Sequence, residues 1–217
     1  MSQKAKMVVN KKVYATGKTY FVLVKEHTSN TGFYDDACYD FYLRRLEHSL
    51  NTFQIKLHAF VLRSTDIWLL VTPVSLVALE SLLLHLNHSY NNYFYIRFDR
   101  HVKVWSDSPV VSLIPSNKLV LDCQKFVERS PLRARLVSHP GQYLWSSYCF
   151  NSFSRKTHYL TPHAAFSRFL KNNRAHLAQY RDFVAAEFGE TYYRFLEYKL
   201  LNGIPLVRRR QHKEVSI

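Results

Sequence analysis

Cysteine is scarce in this chain of 217 residues, which contains only Cys38, Cys123 and Cys149. Three cysteines at such distant positions are too few for a disulfide framework, and they lack the spacing of a zinc cluster. Isolated, reduced thiols are typical of a cytoplasmic protein, and a cytoplasmic location is therefore expected.

The sequence also lacks a signal-peptide core and an uninterrupted membrane span. The N-terminal stretch MSQKAKMVVNKK contains no apolar run of signal-peptide length. The apolar run from Ile67 to Leu86 approaches the length of a bilayer span, but Pro73 and Glu80 interrupt it. It divides into a strand and an amphipathic helix, so we expect no membrane segment. Internal repeats and low-complexity tracts are absent as well.

Acidic residues are few compared with basic ones. The chain has 30 Lys and Arg against 16 Asp and Glu, which gives a formal net charge of +14 and a pI near 9.7. An excess of this size across a folded chain is typical of a nucleic-acid partner. The hydrophobic content of 47% is sufficient for one sizeable core with an appended helical segment.

Two apolar, β-rich runs separated by a short polar step mark the centre of the predicted sheet. Ile55–Leu62 and Ile67–Val71 flank the step RSTD, and this pattern is typical of a hairpin. The remaining predicted elements are a strand at Tyr20–Val24, helices at about 36–53, 75–93 and 118–129, and a bent strand pair at 102–105 and 109–114. Pro131 is expected to end the third helix. This order predicts an α+β fold: a ferredoxin-like sandwich, an antiparallel sheet with helices on one face.

The sequence predicts three regions along the chain. Residues 1–18 are a basic N-terminal arm, and residues 19–148 form the sandwich domain. Residues 149–217 are a C-terminal helical extension with helices at about 173–188 and 191–202, followed by a basic tail. Gly203 and Pro205 are suited to end the last helix.

The stretch around the predicted hairpin resembles the REP-associated tyrosine transposases, which are small single-tyrosine HUH transposases. Their central strands carry His-Ala-aromatic-Val-Leu and, after the turn, Leu-rich sequence followed by Thr-Pro. The matching blocks in this chain, in the family's order, are HAFVL at 58–62, LLVTP at 69–73, VW at 104–105, FVERSPLRA at 126–134, HPG at 139–141 and WSSY at 145–148. The resemblance covers roughly residues 19–148.

The resemblance implies a chemistry whose residues this chain has replaced. In the family, a tyrosine on the third helix attacks a phosphodiester of single-stranded DNA, and two histidines hold a divalent cation that polarises the phosphate. Asp66 and Trp68 stand at the histidine positions, and Leu119 stands at the tyrosine position. Leucine is no nucleophile, and tryptophan offers only an N–H donor. We therefore predict that these three are degenerate former catalytic positions, and that the chain is not an enzyme and holds no metal or cofactor.

A basic surface is expected to remain for DNA. Arginine suits phosphate because its planar guanidinium group donates two parallel hydrogen bonds. The predicted nucleic-acid-binding residues are Arg129, Arg133 and Arg135 after the third helix, Arg97, Arg100 and Lys103 after the second, and Lys11, Lys12, Arg208 and Arg209 in the arm and tail. Tyr143 or Trp145 would stack on unpaired bases.

The sequence thus predicts a domesticated, inactive, transposase-like DNA-binding protein that acts as a bacterial transcriptional regulator at the nucleoid. Two alternatives stay open. One is an active single-stranded DNA transposase or nuclease that uses substitute residues, and the other is a protein-interaction module. The DNA sequence, its strand state and the occurrence of a homodimer are also left open.

Overall fold

The protein is described from a computed structural model, which describes residues 17–27, 32–153, 155, 157–166 and 174–206. Its centre is a four-stranded antiparallel sheet with the strand order β2-β3-β1-β4. The elements, in chain order, are β1 (Thr19–Lys25), α1 (Asp36–Thr52), β2 (Ile55–Arg63), β3 (Asp66–Pro73), α2 (Leu76–Phe98), β4 (Val110–Ile114), α3 (Asn117–Arg133), α4 (Tyr148–Phe153), α5 (Arg174–Ala185) and α6 (Glu190–Leu201). Short 3-10 turns occupy Pro140–Gln142 and Ala164–Phe166.

The predicted hairpin is present, and its register is set by the turn between Arg63 and Asp66. These two residues face each other at the end of the ladder, and Val61 pairs with Trp68. The register shifts between Leu57 and Ala59, where β2 contains an irregularity of the β-bulge type. Beyond this point the buried side chains of β2 and β3 alternate between the two faces of the sheet.

Helices α1 and α2 cover one face of the sheet, as expected for a ferredoxin-like sandwich. Their buried side chains form one core with Tyr20, Val22 and Val24 of β1. Both helices begin at side-chain caps, because Asp35 accepts from the backbone N–H of Cys38 and Ser75 accepts from that of Ala78.

Helices α3 and α6 cover the other face. Phe21 and Leu23 of β1 point to this side and share a second core with Phe126 of α3 and with Leu196 and Leu200 of α6. The α+β class is confirmed. The sheet carries helices on both faces, because α3 packs on the face opposite α1 and α2, and α6 of the C-terminal extension joins it there.

Helix α2 ends at Phe98, five residues beyond the predicted end, and two further predictions about local structure are wrong. Helix α3 continues through Pro131, whose ring is buried, and bonds from Ala134 N to Ser130 O (2.9 Å) and Leu136 N to Pro131 O (3.0 Å) hold the final turn. Residues 102–105 form no strand of the sheet, and Trp105 makes only an isolated bridge to Glu26. The indole of Trp105 instead fills the first core, where it is fully buried.

A buried carboxylate attaches the C-terminal extension to α3. Glu128 accepts hydrogen bonds from Ser147 Oγ (2.7 Å), Asn151 Nδ2 (2.7 Å) and Tyr180 Oη (2.6 Å). Burial raises the pKa of Glu128 to about 7, although these three hydrogen bonds act in the opposite direction.

The predicted division at residues 148 and 149 falls within α4. Among the described residues, no helix is long and apolar enough to cross a membrane.

Candidate nucleic-acid interface

A wide, open groove of about 930 Å³ lies between the β2–β3 turn, the end of α3 and the side of α6 that carries Tyr193 and Glu197. We call it the arginine groove, because arginines reach it from all three elements. The residues that line it are Arg63, Trp68, Ser130, Leu132, Arg133, Ala134, Arg135, Glu187, Glu190, Tyr193, Arg194, Glu197 and Leu201.

At the sheet end of the groove, Arg63 bridges the two replaced histidine positions. Its guanidinium group donates to both carboxylate oxygens of Asp66, at 2.7 and 2.5 Å, and lies 4.5 Å from the centre of the Trp68 ring. Both contacts are of the kind that arginine makes well, a bidentate ion pair and a cation–π contact. The hairpin turn thereby holds Arg63 in place beside the groove.

These residues do not fit the divalent cation that the transposase resemblance implies. The carboxylate of Asp66 is occupied by Arg63 on both oxygens. The indole N–H of Trp68 is buried and has no hydrogen-bond partner among the described residues. It is a donor, so it cannot ligate a metal. Among the described residues, no cluster of three or more His, Cys, Asp or Glu side chains could hold a metal ion. The prediction that the chain binds no metal or cofactor stays a prediction.

Leu119 lies at the opposite end of α3 from the groove. Fourteen residues separate it from Arg133, which corresponds to about 21 Å along a helix. On α3, the ring of Phe126 stacks on the indole of Trp68 with centroids 5.1 Å apart. Leu119 precedes Phe126 by seven residues, about 10 Å along the helix.

On the helical side of the groove, Glu190 connects two arginines. Its carboxylate accepts from Arg194 Nε at 3.0 Å and from Arg133 Nη2 at 3.3 Å. Hydrogen bonds from Arg194 and then Arg133 hold the pKa of Glu190 below its usual range, so the carboxylate is charged.

Tyr193 occupies the middle of the groove. The Arg133 guanidinium lies 3.7 Å from the centre of its ring, and its hydroxyl donates to Glu197 Oε1 at 3.1 Å. Burial raises the pKa of Tyr193, although a hydrogen bond from Arg133 lowers it. The ring lies 5.4 Å from Phe126, which connects it to the aromatic stack under the sheet.

The three arginines predicted after the third helix separate into different environments. Arg129 is only 5% exposed and donates to the carbonyls of Val184 (2.7 Å) and Ala185 (2.6 Å) at the end of α5. Its prediction as a DNA contact is corrected, because a buried guanidinium that caps a helix cannot reach a phosphate. Arg133 and Arg135 both line the groove. Arg135 has a left-handed backbone (φ 57°), and its N–H donates to Leu132 O at 3.0 Å. Its side chain makes no hydrogen bond or ion pair within the described part of the chain.

The second predicted group belongs to the other face of the sheet, because it follows α2. Arg97 donates to both oxygens of Asp35, at 2.9 and 2.6 Å, and so supports the cap of α1. Arg100 contacts the hydroxyl of Tyr34, and Lys103 is paired with Asp107. These three cations do not join the arginine groove. Lys11, Lys12, Arg208 and Arg209 lie outside the described residues.

The two aromatic residues that were predicted to stack on bases make contacts within the protein instead. Tyr143 donates its hydroxyl to Leu62 O at 2.8 Å, and Trp145 stacks on Tyr39 with centroids 4.8 Å apart. Exposed aromatic side chains occur instead on α6, where Phe195 is 39% and Tyr198 is 62% exposed.

The sequence did not indicate Arg63, Tyr193 or Arg194 as site residues. Arg63 lies at the turn of the hairpin, where a polar side chain is usually exposed and has no specific role. Tyr193 and Arg194 lie in an extension for which the resemblance gave no functional motif. Their only signal was the alternation of aromatic and basic residues along the last helix, YYRFLEYK.

Comparison with known proteins finds similarity in three-dimensional structure but none in sequence. No protein-family profile matches the chain, and no curated protein matches it in sequence. Among solved structures, a REP-associated tyrosine transposase bound to a REP hairpin superposes with a TM-score of 0.56 over 73% of this chain and 96% of the other, at 12% identity. This chain has the fold of a REP-associated tyrosine transposase. The resemblance inferred from the hairpin and the WSSY block is confirmed at the level of fold.

The same comparison corrects one prediction. The chain was expected not to be an enzyme, whereas the solved structure of this fold is a transposase. Replacement of the residues at positions 66, 68 and 119 is therefore no ground for excluding an activity. The arginine groove lies beside Trp68, and its residues can be considered for both binding and chemistry.

Proposed function

We propose that the protein binds DNA in the arginine groove and holds backbone phosphates on Arg133, Arg135 and Arg194. The observation that carries the proposal is the convergence of arginines from the hairpin turn, the end of α3 and α6 on one open groove. The net charge of +14 supports an anionic partner, and the fold is one that, in another protein, binds a DNA hairpin.

The groove also contains an aromatic side chain that could stack on a base. Tyr193, beneath Arg133, presents part of an aromatic ring, and aromatic rings stack on bases without regard to sequence. Phosphate contacts position the DNA, whereas sequence discrimination requires contacts to base edges. We therefore expect strong dependence on salt and weak dependence on sequence from the groove alone. No described residue bears on the regulatory role, which stays a prediction.

The test is a salt titration of hairpin DNA binding by fluorescence anisotropy. The double variant Arg133→Ala, Arg135→Ala should weaken binding and make the log–log salt slope shallower by about 1.4 on single strands or about 1.8 on duplex. The matched control is Arg44→Ala, Arg45→Ala, which removes two exposed charges from α1 on the other face of the sheet. Equal losses in both double variants, or no binding by the parent at low salt, would contradict the proposal.

A second candidate function, cleavage of a phosphodiester by Tyr193, is favoured by one contact. The Tyr193 hydroxyl donates to Glu197, which can take its proton, and Arg133 lies over the ring where a phosphate would approach. The tyrosine oxygen would form a bond to phosphorus while the bond to the departing 3′ oxygen breaks, and the proton held by Glu197 would pass to that oxygen.

This second candidate has a direct test. Hairpin DNA with a single-stranded flank is incubated with the protein, and adducts that survive denaturation are mapped by mass spectrometry. Tyr193→Phe should abolish the adduct, whereas Tyr198→Phe, a change on the exposed side of the same helix, should not. An adduct at another tyrosine, or none with the parent protein, excludes Tyr193 as the nucleophile.

A further inference from the structure

The contact between Glu190, Arg133 and Arg194 has the form of an occupied anion site. Two guanidinium groups from different elements, α3 and α6, donate to one carboxylate at 3.3 and 3.0 Å. A phosphate oxygen pair and a carboxylate oxygen pair have the same spacing requirements for guanidinium donors. The carboxylate therefore stands where a phosphate of bound DNA would be held.

The start of α6 adds to the anion site. Glu190 is the first residue of α6, and Gly189 at the N-cap provides no side-chain hydrogen bond to the first turn. The unpaired N–H groups of a helix N-terminus favour an anion. The carboxylate that accepts from two arginines thus belongs to the first residue of a helix whose N-cap provides no side chain.

The ion pairs of Glu190 with Arg133 and Arg194 are exposed to solvent, so another anion can replace the carboxylate. The side chains of Arg133, Glu190 and Arg194 are 35%, 57% and 76% exposed, and ion pairs at this exposure are weak because water screens them. The ion pair of Arg129 with Glu187 differs, because its guanidinium group is 6% exposed and fixed by two backbone carbonyls.

We propose that Glu190 is a built-in competitor of DNA phosphate, and that a backbone phosphate displaces its carboxylate from Arg133 and Arg194 when DNA binds. The proposal rests on the proposed DNA binding in the arginine groove. It names the phosphate-binding pair within that groove and the residue that limits its affinity. In the absence of DNA, the single charge of Glu190 partly offsets the two guanidinium charges, and its hydrogen bonds orient both groups.

The test compares Glu190→Gln with the parent protein in the same salt titration. Loss of the carboxylate should raise DNA affinity at low salt about fivefold, the effect of one nearby unit charge in water. The salt slope should stay close to that of the parent, because Arg133 and Arg194 contact phosphate in both complexes. Circular dichroism before the titration checks that the variant is folded.

A double-mutant cycle separates competition from a general effect of charge. In a protein with Arg133→Ala and Arg194→Ala, the change Glu190→Gln has no guanidinium groups to release, and its gain in affinity should fall below about twofold. The same gain in both backgrounds would overturn the proposal, because the carboxylate would then act only through its long-range field. Absence of DNA binding by the parent and by Glu190→Gln alike would instead refute the proposed function.

Discussion

Trp68 of β3 lies flat against Phe126 of α3, with ring centroids 5.1 Å apart and planes 10° from parallel. The ring of Phe21 meets the indole edge-on at 5.6 Å, and Arg63 covers it on the groove side at 4.5 Å. The indole is 4% exposed. Position 68 thus attaches α3 to the sheet and also supports one wall of the arginine groove.

Trp68→Ala should lower the free energy of unfolding by about 3–5 kcal/mol, the usual cost of truncating a buried large aromatic residue. Urea unfolding followed by circular dichroism measures the change. Leu144→Ala, at a side chain that is 74% exposed, is the control and should change stability by less than about 0.5 kcal/mol.

Trp68→Phe should cost clearly less than Trp68→Ala. Within the part of the chain that the structure describes, the buried indole N–H has no hydrogen-bond partner. Phenylalanine therefore removes an unsatisfied donor while it retains a ring to stack on Phe126. Equal losses in the two variants would show that the stack does not contribute to the attachment of α3.

Local signals in the sequence predicted much of the fold. Helices were predicted to begin near residues 36, 75 and 118, and each of them begins at a side-chain cap, provided by Asp35, Ser75 and Ser116. The hairpin followed from two β-rich runs and a polar step. Such features depend on residues close in sequence, so a single chain is sufficient to indicate them.

Features that depend on distant residues could not be predicted in this way. Pro131 is a helix-breaking residue locally, yet burial of its ring keeps it within α3. Arg129 had the sequence context of a phosphate contact, and only the position of α5 shows that it binds carbonyls at residues 184 and 185. The arginine groove itself exists because α6 folds back over the sheet, which no local pattern indicated.

His58 gives the protein a stability that decreases in acid. Its Nδ1–H donates to Thr161 O at 2.6 Å, and its Nε2 lies 2.8 Å from Thr72 Oγ1, whose hydroxyl can donate to the neutral ring. Burial lowers the pKa of His58 to about 4, so the unfolded chain takes the proton near pH 6.5 before the folded chain does. The free energy of unfolding should therefore fall by about 3 kcal/mol as the pH falls from 6.5 to 4. His58→Gln should remove this dependence, whereas His158→Gln, at an exposed side chain, should keep it.

Glu128 should act in the opposite direction over an overlapping range. Its folded pKa of about 7 lies above the usual 4.5, so the unfolded chain loses the proton first as the pH rises. The contribution of Glu128 is complete below pH 4.5 and is lost by about pH 7, again about 3 kcal/mol. The parent protein should show a shallow profile between pH 4.5 and 6.5, because the two effects offset each other there. Urea unfolding across this range should show stability that falls with rising pH in His58→Gln and with falling pH in Glu128→Gln. Parallel profiles in the two variants would contradict the assignment of either group.

Arg129 and Arg133 lie one helical turn apart on α3, and their replacement by alanine should give opposite results. Arg129→Ala leaves the carbonyls of Val184 and Ala185 without their buried donor and should lower the free energy of unfolding by about 2–4 kcal/mol. Arg133→Ala removes an ion pair that is partly exposed and should cost less than about 1 kcal/mol.

DNA binding should rank the same two variants in the reverse order. Arg133→Ala should reduce affinity about equally for all sequences and make the salt slope shallower by about one phosphate contact. Arg129→Ala, measured at a temperature where it is folded, should keep the slope of the parent, because its guanidinium group contacts α5 and not the groove. A folded Arg129→Ala protein with a reduced slope would show that the end of α5 opens when DNA binds. The arginine groove would then extend beneath that helix.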